Sequence, residues 1–211
     1  MARNFLAVAI VFVAVSGVCR LAPADDSARG AVLFQNCVAC HGENAEGNAE
    51  YGAPAIAGMG EWYLESQLHK FRSGLRGAHP DDAEGLRMRP MSRTLATDDE
   101  VRAVAAYVAS LPPARPAPTL TGGDSARGKV LYATCAACHG ANAEGSQVLN
   151  GPSLDRTGDW YLLRQMRKYR SGVRGSDVRD PMSVMMRPMA MALADEQALV
   201  DVVAHIMTLT R

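Results

Sequence analysis

Beyond its first segment, this 211-residue chain places apolar residues at three- and four-residue spacings, with no sustained alternation of period two. That pattern predicts helices and no strands. Ser27 and Ser125, each following an Asp, are candidate caps for a first helix in each half of the chain. A second helix is expected from near Glu61, where Trp62, Leu64, Leu68 and Phe71 recur at helical spacings and Gly74 ends the run. Asp159, Trp160, Leu162, Met166, Tyr169 and Gly172 repeat the arrangement. Thr97-Asp98-Asp99-Glu100 has the capping-box form and opens a last helix through Val101, Val104, Ala105 and Val108 to Leu111. Its counterpart runs from Asp195 to about Leu209.

The resemblance between the halves is a duplication. At an offset of 98 positions, residues 26–111 align with 124–209 without a gap, and 38 of the 86 pairs are identical. Asp-Ser-Ala-Arg-Gly, Trp-Tyr-Leu, Arg-Ser-Gly and Met-Arg-Pro-Met all recur in register. Between the copies, the proline-rich stretch 112–118 cannot continue a helix and favours extended geometry, which predicts a short, semi-rigid linker over 112–123. The expected domains are 25–111 and 124–211.

The remaining segment is apolar from Phe5 to Val15, behind Arg3 and ahead of Ala22-Pro23-Ala24. At about 11 residues it is too short to span a bilayer, which needs roughly 20, so residues 1–24 read as a cleaved signal peptide and the protein as exported. A retained anchor, with membrane association, is the alternative. The whole chain balances 22 basic against 22 acidic residues and has no long basic run, which argues against a nucleic-acid partner. Aromatic residues make up only 6%, so each copy of about 86 residues is short of core material.

Four cysteines remain after the leader: Cys37-Val38-Ala39-Cys40-His41 and Cys135-Ala136-Ala137-Cys138-His139. Two thiols a helical turn apart can reach both vinyl groups on one porphyrin edge while the adjacent imidazole meets the iron, which makes each motif a c-type haem attachment site. A disulfide redox motif would not need the His twice, and the two Cys pairs stand too far apart in sequence for a paired zinc site. Two covalent haems would also supply the missing core. Met88 or Met91 in the first copy, and Met186 or Met189 in the second, are candidate second iron ligands; Met185 is a further alternative.

On these motifs the chain resembles the class I c-type cytochromes and, in its doubled form, the dihaem cytochromes of the c4 kind. The resemblance covers nearly all of the chain after the leader. It implies an all-α fold of two tandem cytochrome c domains, each wrapped around a covalent haem. It selects Met88 and Met186 as iron ligands opposite His41 and His139, from their distance to Leu95 and Leu193. It further implies that the carbonyls of Pro54 and Pro152 hold the two imidazoles, and that Gly30 and Gly128 let the first helix cross the last at Tyr107 and His205. The family expects an aromatic residue at the position of His205, and a substitute ring in the crossing is its simplest reading.

The implied function is one-electron transport in the periplasm, between a membrane quinol-oxidising complex and a terminal oxidase or reductase, with no small-molecule substrate and no catalysis. The alternatives are a cytochrome subunit of a larger dehydrogenase or oxidase complex, and a haem peroxidase; the latter is disfavoured because Met is supplied to both haems. Arg72, Arg76, Arg170 and Arg174 recur as Arg-Ser-Gly-x-Arg-Gly and are candidate partners of haem propionates, since planar guanidinium donors suit carboxylates. The stiff linker and these arginines predict that the domains dock face to face.

Overall fold

The computed structural model describes residues 23–209, so the predicted leader lies outside the described residues except at its last two positions. Among the described residues eight helices form in two sets of four: α1 Pro23–His41, α2 Glu61–Ser73, α3 Ala83–Arg93 and α4 Asp98–Ser110, then α5 Ser125–His139, α6 Asp159–Ser171, α7 Pro181–Met191 and α8 Glu196–Leu209. Among the described residues there is no strand, only isolated bridges between Asn48 and Ala53 and between Ser146 and Gly151.

Two of these helices, α3 and α7, are absent from the sequence expectation. Each carries a proline inside, Pro90 or Pro188, where the missing N–H normally argues against helix. Each is started by a carboxylate: Asp82 accepts from the Gly85 N–H at 3.0 Å, and Asp180 from the Ser183 N–H at 3.2 Å. The cap expected at Ser125 is instead Asp124, whose side chain accepts from the Ala126 and Arg127 N–H groups, while Ser125 is already the first helical residue. In the first repeat α1 begins at Pro23, so Ser27 lies within it. The Thr97 capping box forms as expected, and Asp195 caps α8 by accepting from the Ala198 N–H at 2.8 Å.

Each repeat is organised on the crossing of its first and last helices. A methyl group placed on Gly30 would fall on the Ala103 carbonyl oxygen and 2.7 Å from Tyr107 Cβ; on Gly128 it would fall on the Asp201 carbonyl and 2.9 Å from His205 Cβ. Only glycine permits this approach. Beside the crossing, Phe34 and Tyr107 pack with ring centroids 5.6 Å apart, and Tyr132 and His205 at 5.5 Å. His205 is thus the substitute ring in the crossing. Aliphatic residues of the last helix complete each core, Val101, Val104 and Val108 in one and Leu199, Val202, Val203 and Ile206 in the other.

The linker is strapped to the second repeat by Asp159 at the start of α6. This buried carboxylate accepts from the Thr119 and Leu120 N–H groups at 2.6 and 2.7 Å and from the Thr119 hydroxyl at 2.9 Å. The first repeat has Glu61 at the matching position.

Gly128→Ala should destabilise the protein by about 1–3 kcal/mol through overpacking against backbone, read as a lower thermal midpoint by circular dichroism; an unchanged midpoint would contradict the close crossing. Burial, with Lys129 nearby, holds His205 below its ordinary imidazole pKa of 6.5. The unfolded chain therefore takes up that proton more readily, and this part of the stability is lost as pH falls through the mid-6 range and below. His205→Tyr should reduce the acid-induced loss of stability between pH 7 and 5, measured by denaturant unfolding at each pH.

Candidate haem centres

The last turn of α1 presents Cys37, Cys40 and His41, and the last turn of α5 presents Cys135, Cys138 and His139. None of the four thiols is in a disulfide; the first of each pair is half-buried and the second exposed. Burial, helped by its neighbour Cys40, pushes the Cys37 thiol up to about 11, and burial likewise raises Cys135. Both are therefore protonated at neutral pH, unlike the low-pKa cysteines of disulfide-exchange sites.

The imidazoles are fixed by the chain that follows. His41 Nδ1 lies 2.9 Å from the Pro54 carbonyl oxygen and His139 Nδ1 lies 2.8 Å from that of Pro152. A carbonyl only accepts, so Nδ1 carries the proton in each ring and Nε2 keeps its lone pair for a metal. Burial lowers the pKa of both rings, which keeps them neutral. The loop between is closed by the Gly47 N–H on the His41 carbonyl and the Gly145 N–H on that of His139, both at 2.7 Å.

A mainly apolar cavity of about 470 Å³ opens beside the first motif. Cys37, Cys40 and His41 lie along its wall together with Met88 on α3, and Met59, Leu64 and Phe71 are among the apolar residues that complete it. Its volume falls within the range usual for cofactor sites, roughly 300–1,000 Å³. Met88 and Met186 are half-buried, whereas Met91 and Met189 are each 38% exposed and Met185 is 53% exposed.

The four arginines divide into two kinds. Arg72 donates to the Thr97 carbonyl and to Asp98 at 3.1 Å, tying α2 to the start of α4 and leaving it outside the cavity lining. The Arg72 side chain serves the exposed N-terminus of the last helix. Arg170 occupies the matching last turn of α6 and is half-buried.

Arg76 and Arg174 lie between the repeats. Arg76 donates to Gln67 of its own repeat at 2.7 Å and to Tyr161 and Gln165 of the other at 2.8 and 3.2 Å. Arg174 mirrors it, donating to Gln165 at 2.7 Å and to Gln67 at 3.1 Å, with Tyr63 as a further partner. Ion pairs flank this centre on both sides, Lys70 with Asp180 at 2.8 Å and Lys168 with Asp82 at 2.5 Å. Every one of these contacts is related to another by the offset of 98, so the seam is a pseudo-two-fold interface between copies of one face.

The sequence reading missed Tyr63, Gln67, Lys70 and Asp82 with their counterparts. Their signal was identity at the repeat offset in polar positions that no motif required.

Both seam arginines are only 8% exposed, yet their hydrogen-bond acceptors are neutral amide and phenol oxygens, and Arg174 Nε is buried without a partner. A buried cation in that state calls for an anion. Arg76 also lines the first cavity, so the carboxylates of a haem fit the donors present. Thiols, neutral imidazole, thioether and apolar walls fit the rest of the group.

The family comparison agrees. The cytochrome c family model matches residues 27–112 and again 125–210. The chain belongs to the cytochrome c family. It is a dihaem, cytochrome c4-like member, with two covalent haem c groups. It is 32% identical over 172 residues to the thiosulfate dehydrogenase electron acceptor of Thiomonas intermedia (strain K12), covering 77% of this chain and 73% of that protein. It is 29% identical over 182 residues to cytochrome c4 of Azotobacter vinelandii, covering 82% and 84%. The crystal structure of reduced cytochrome c4 from Pseudomonas stutzeri shares the fold at a TM-score of 0.66, with 24% identity over 86% of this chain and 97% of that one. The dihaem cytochrome is accordingly an electron-carrying protein.

Replacing both Cys37 and Cys40 by Ser should leave one covalent haem, measured by intact mass and by haem staining after denaturing electrophoresis. Two haems retained in that variant would overturn the assignment of the first motif.

Proposed function

We propose that this cytochrome carries single electrons in the periplasm between a quinol-oxidising membrane complex and a terminal oxidase or reductase, passing them internally from one haem to the other. The observation that carries this reading is the lining of the first cavity: Tyr161, Gln165 and Lys168 of the second repeat reach into it alongside His41 and Met88. A haem there abuts the other repeat instead of being insulated from it. The bound iron supplies the one-electron couple. His41 and Met88 would hold the first iron and His139 and Met186 the second, and the Pro54 and Pro152 carbonyls keep both imidazoles fixed in orientation. Met88 and Met186 are favoured over Met91 and Met189 by their greater burial. A thioether ligand raises the potential, which suits a late respiratory carrier.

An imidazole and a thioether held to each iron would leave no place there for substrate, and the reading is therefore of a carrier and not an enzyme. The first 24 residues act as a cleaved export signal. No described helix is long and apolar enough to cross a membrane.

A second reading concerns the donor. The Thiomonas relative is named an electron acceptor for thiosulfate dehydrogenase, and the chain covers most of its length. Reduction by a dehydrogenase in place of a quinol-oxidising complex would use the same two centres.

Met88→Ala should open the first iron to carbon monoxide, remove half of the far-red sulfur-to-iron absorption band and lower that haem's potential, while Met91→Ala should leave the spectrum unchanged. The reverse pattern would transfer the ligand role to Met91. Arg76→Ala removes a buried positive charge bonded to residues of both repeats, so both midpoint potentials should fall, by on the order of 1 kcal/mol of electron affinity, in a spectroscopic redox titration. A shift confined to one haem, or none, would count against the shared seam.

A further inference from the structure

The duplication makes each haem opening a control for the other. At the first opening, Tyr51, Arg87 and Met91 line the cavity and Glu50 adjoins Tyr51. The offset of 98 places Leu149, Met185, Met189 and Val148 at the same positions of the second. A carboxylate and a guanidinium have thus given way to valine and methionine, while the Met91 position keeps its methionine.

These side chains are not tucked away: Val148 is 89% exposed, Leu149 and Met185 are each 53% exposed, and Met189 is 38% exposed. Single exposed apolar residues are ordinary, but four at positions that match or adjoin the lining of the first opening mark an interaction surface. Met185 and Met189 are four residues apart on α7 and so share one helix face. Two residues after each motif His, Glu43 is matched by Ala141, which removes a further charge. The halves differ in the same sense overall. Residues 26–111 hold eight basic and twelve acidic residues, against ten and nine in 124–209.

We propose that the opening of the second haem site is an apolar docking surface for a redox protein whose own cofactor opening is framed by uncharged, apolar side chains. The proposal rests on the carrier reading above. Charge complementarity decides the occupant. A partner with a ring of lysines or carboxylates would have to desolvate those charges against Val148, Leu149 and Met185 without a counter-ion, whereas an apolar ring loses only unfavourable contact with water. Thioether side chains adapt their shape to such a surface. Docking of this kind has little long-range steering, so its rate changes little with ionic strength, in contrast to exchange at the first opening, where Glu50 and Arg87 remain.

The test uses the full dihaem protein, reduced, and stopped-flow electron exchange with two oxidised probes: a blue-copper protein with an apolar patch at its copper site, and a lysine-ringed mitochondrial cytochrome c. Wild-type exchange with the blue-copper probe should be nearly salt-independent. The double variant Val148→Glu/Met185→Arg, which installs the residues of the first repeat, should slow it at least tenfold, with midpoint potentials and the far-red band unchanged. The converse variant Glu50→Val/Arg87→Met should speed exchange with the same probe. An unchanged blue-copper rate in Val148→Glu/Met185→Arg would overturn the proposal. So would binding of wild-type protein to neutral phosphatidylcholine vesicles, or sedimentation as a dimer, if either is abolished by that variant, since the apolar rim would then serve a bilayer or a second copy. Failure of the carrier reading is distinguishable: the second haem would then not change oxidation state even with ferricyanide.

Discussion

In each repeat the first helix carries both thiols and the imidazole, and where that helix sits is decided by its contact with the last one. The contact is backbone to backbone: Gly30 against the Ala103 carbonyl and Gly128 against that of Asp201. Because these atoms already touch, the attachment turn cannot slide or lift without breaking the crossing. The Pro54 and Pro152 carbonyls then meet imidazoles whose positions are already set. The cavity is what remains between this fixed wall, α2 and the methionine-bearing α3. A repeat with few aromatic residues can hold such a space open because the covalent cofactor is the rest of its core.

The duplication supplied more than a second centre. Since the same face of each repeat meets the other, every donor has its acceptor across the seam once in each direction: Arg76 with Gln165 and Tyr161, Arg174 with Gln67 and Tyr63. Around Tyr63, burial alone would raise the phenol's pKa, but the guanidinium groups of Arg174 and Arg76 outweigh it and hold the pKa below its usual value. Two cations buried among neutral acceptors are costly without anions, and haem carboxylates beside them would offset that cost. On that reading cofactor binding and docking of the repeats are linked in this seam.

The copies have diverged at the seam and the openings, and also at the crossings. Glu84 pairs with Arg164 at 2.7 Å and Lys168 at 2.6 Å on one side, while its counterpart Met182 and Ser66 carry no charge on the other. At the second crossing, Asp201 has replaced an alanine and is fully buried, satisfied by the Asp124 N–H and by Arg127, each at 2.8 Å. These differences leave the two haem sites alike in their attachment motifs and unlike in surroundings.

The sequence by itself determined the repeat, the all-α class and the covalent haem motifs. These depend on local spacing or on identity at a fixed offset, and both survive in one dimension. It also narrowed the candidates for the iron's second ligand to a few methionines. The helices bearing those methionines stayed hidden, because Pro90 and Pro188 are tolerated only where an Asp cap and the surrounding fold hold the backbone. The arginines could not be sorted from sequence either. Arg72 and Arg76 belong to one motif and are four residues apart, but Gly74 turns the chain between them with φ 81°, sending one to the start of α4 and the other into the seam. Which residues meet across 98 positions of chain is set by docking of the repeats, and only the tertiary structure decides that.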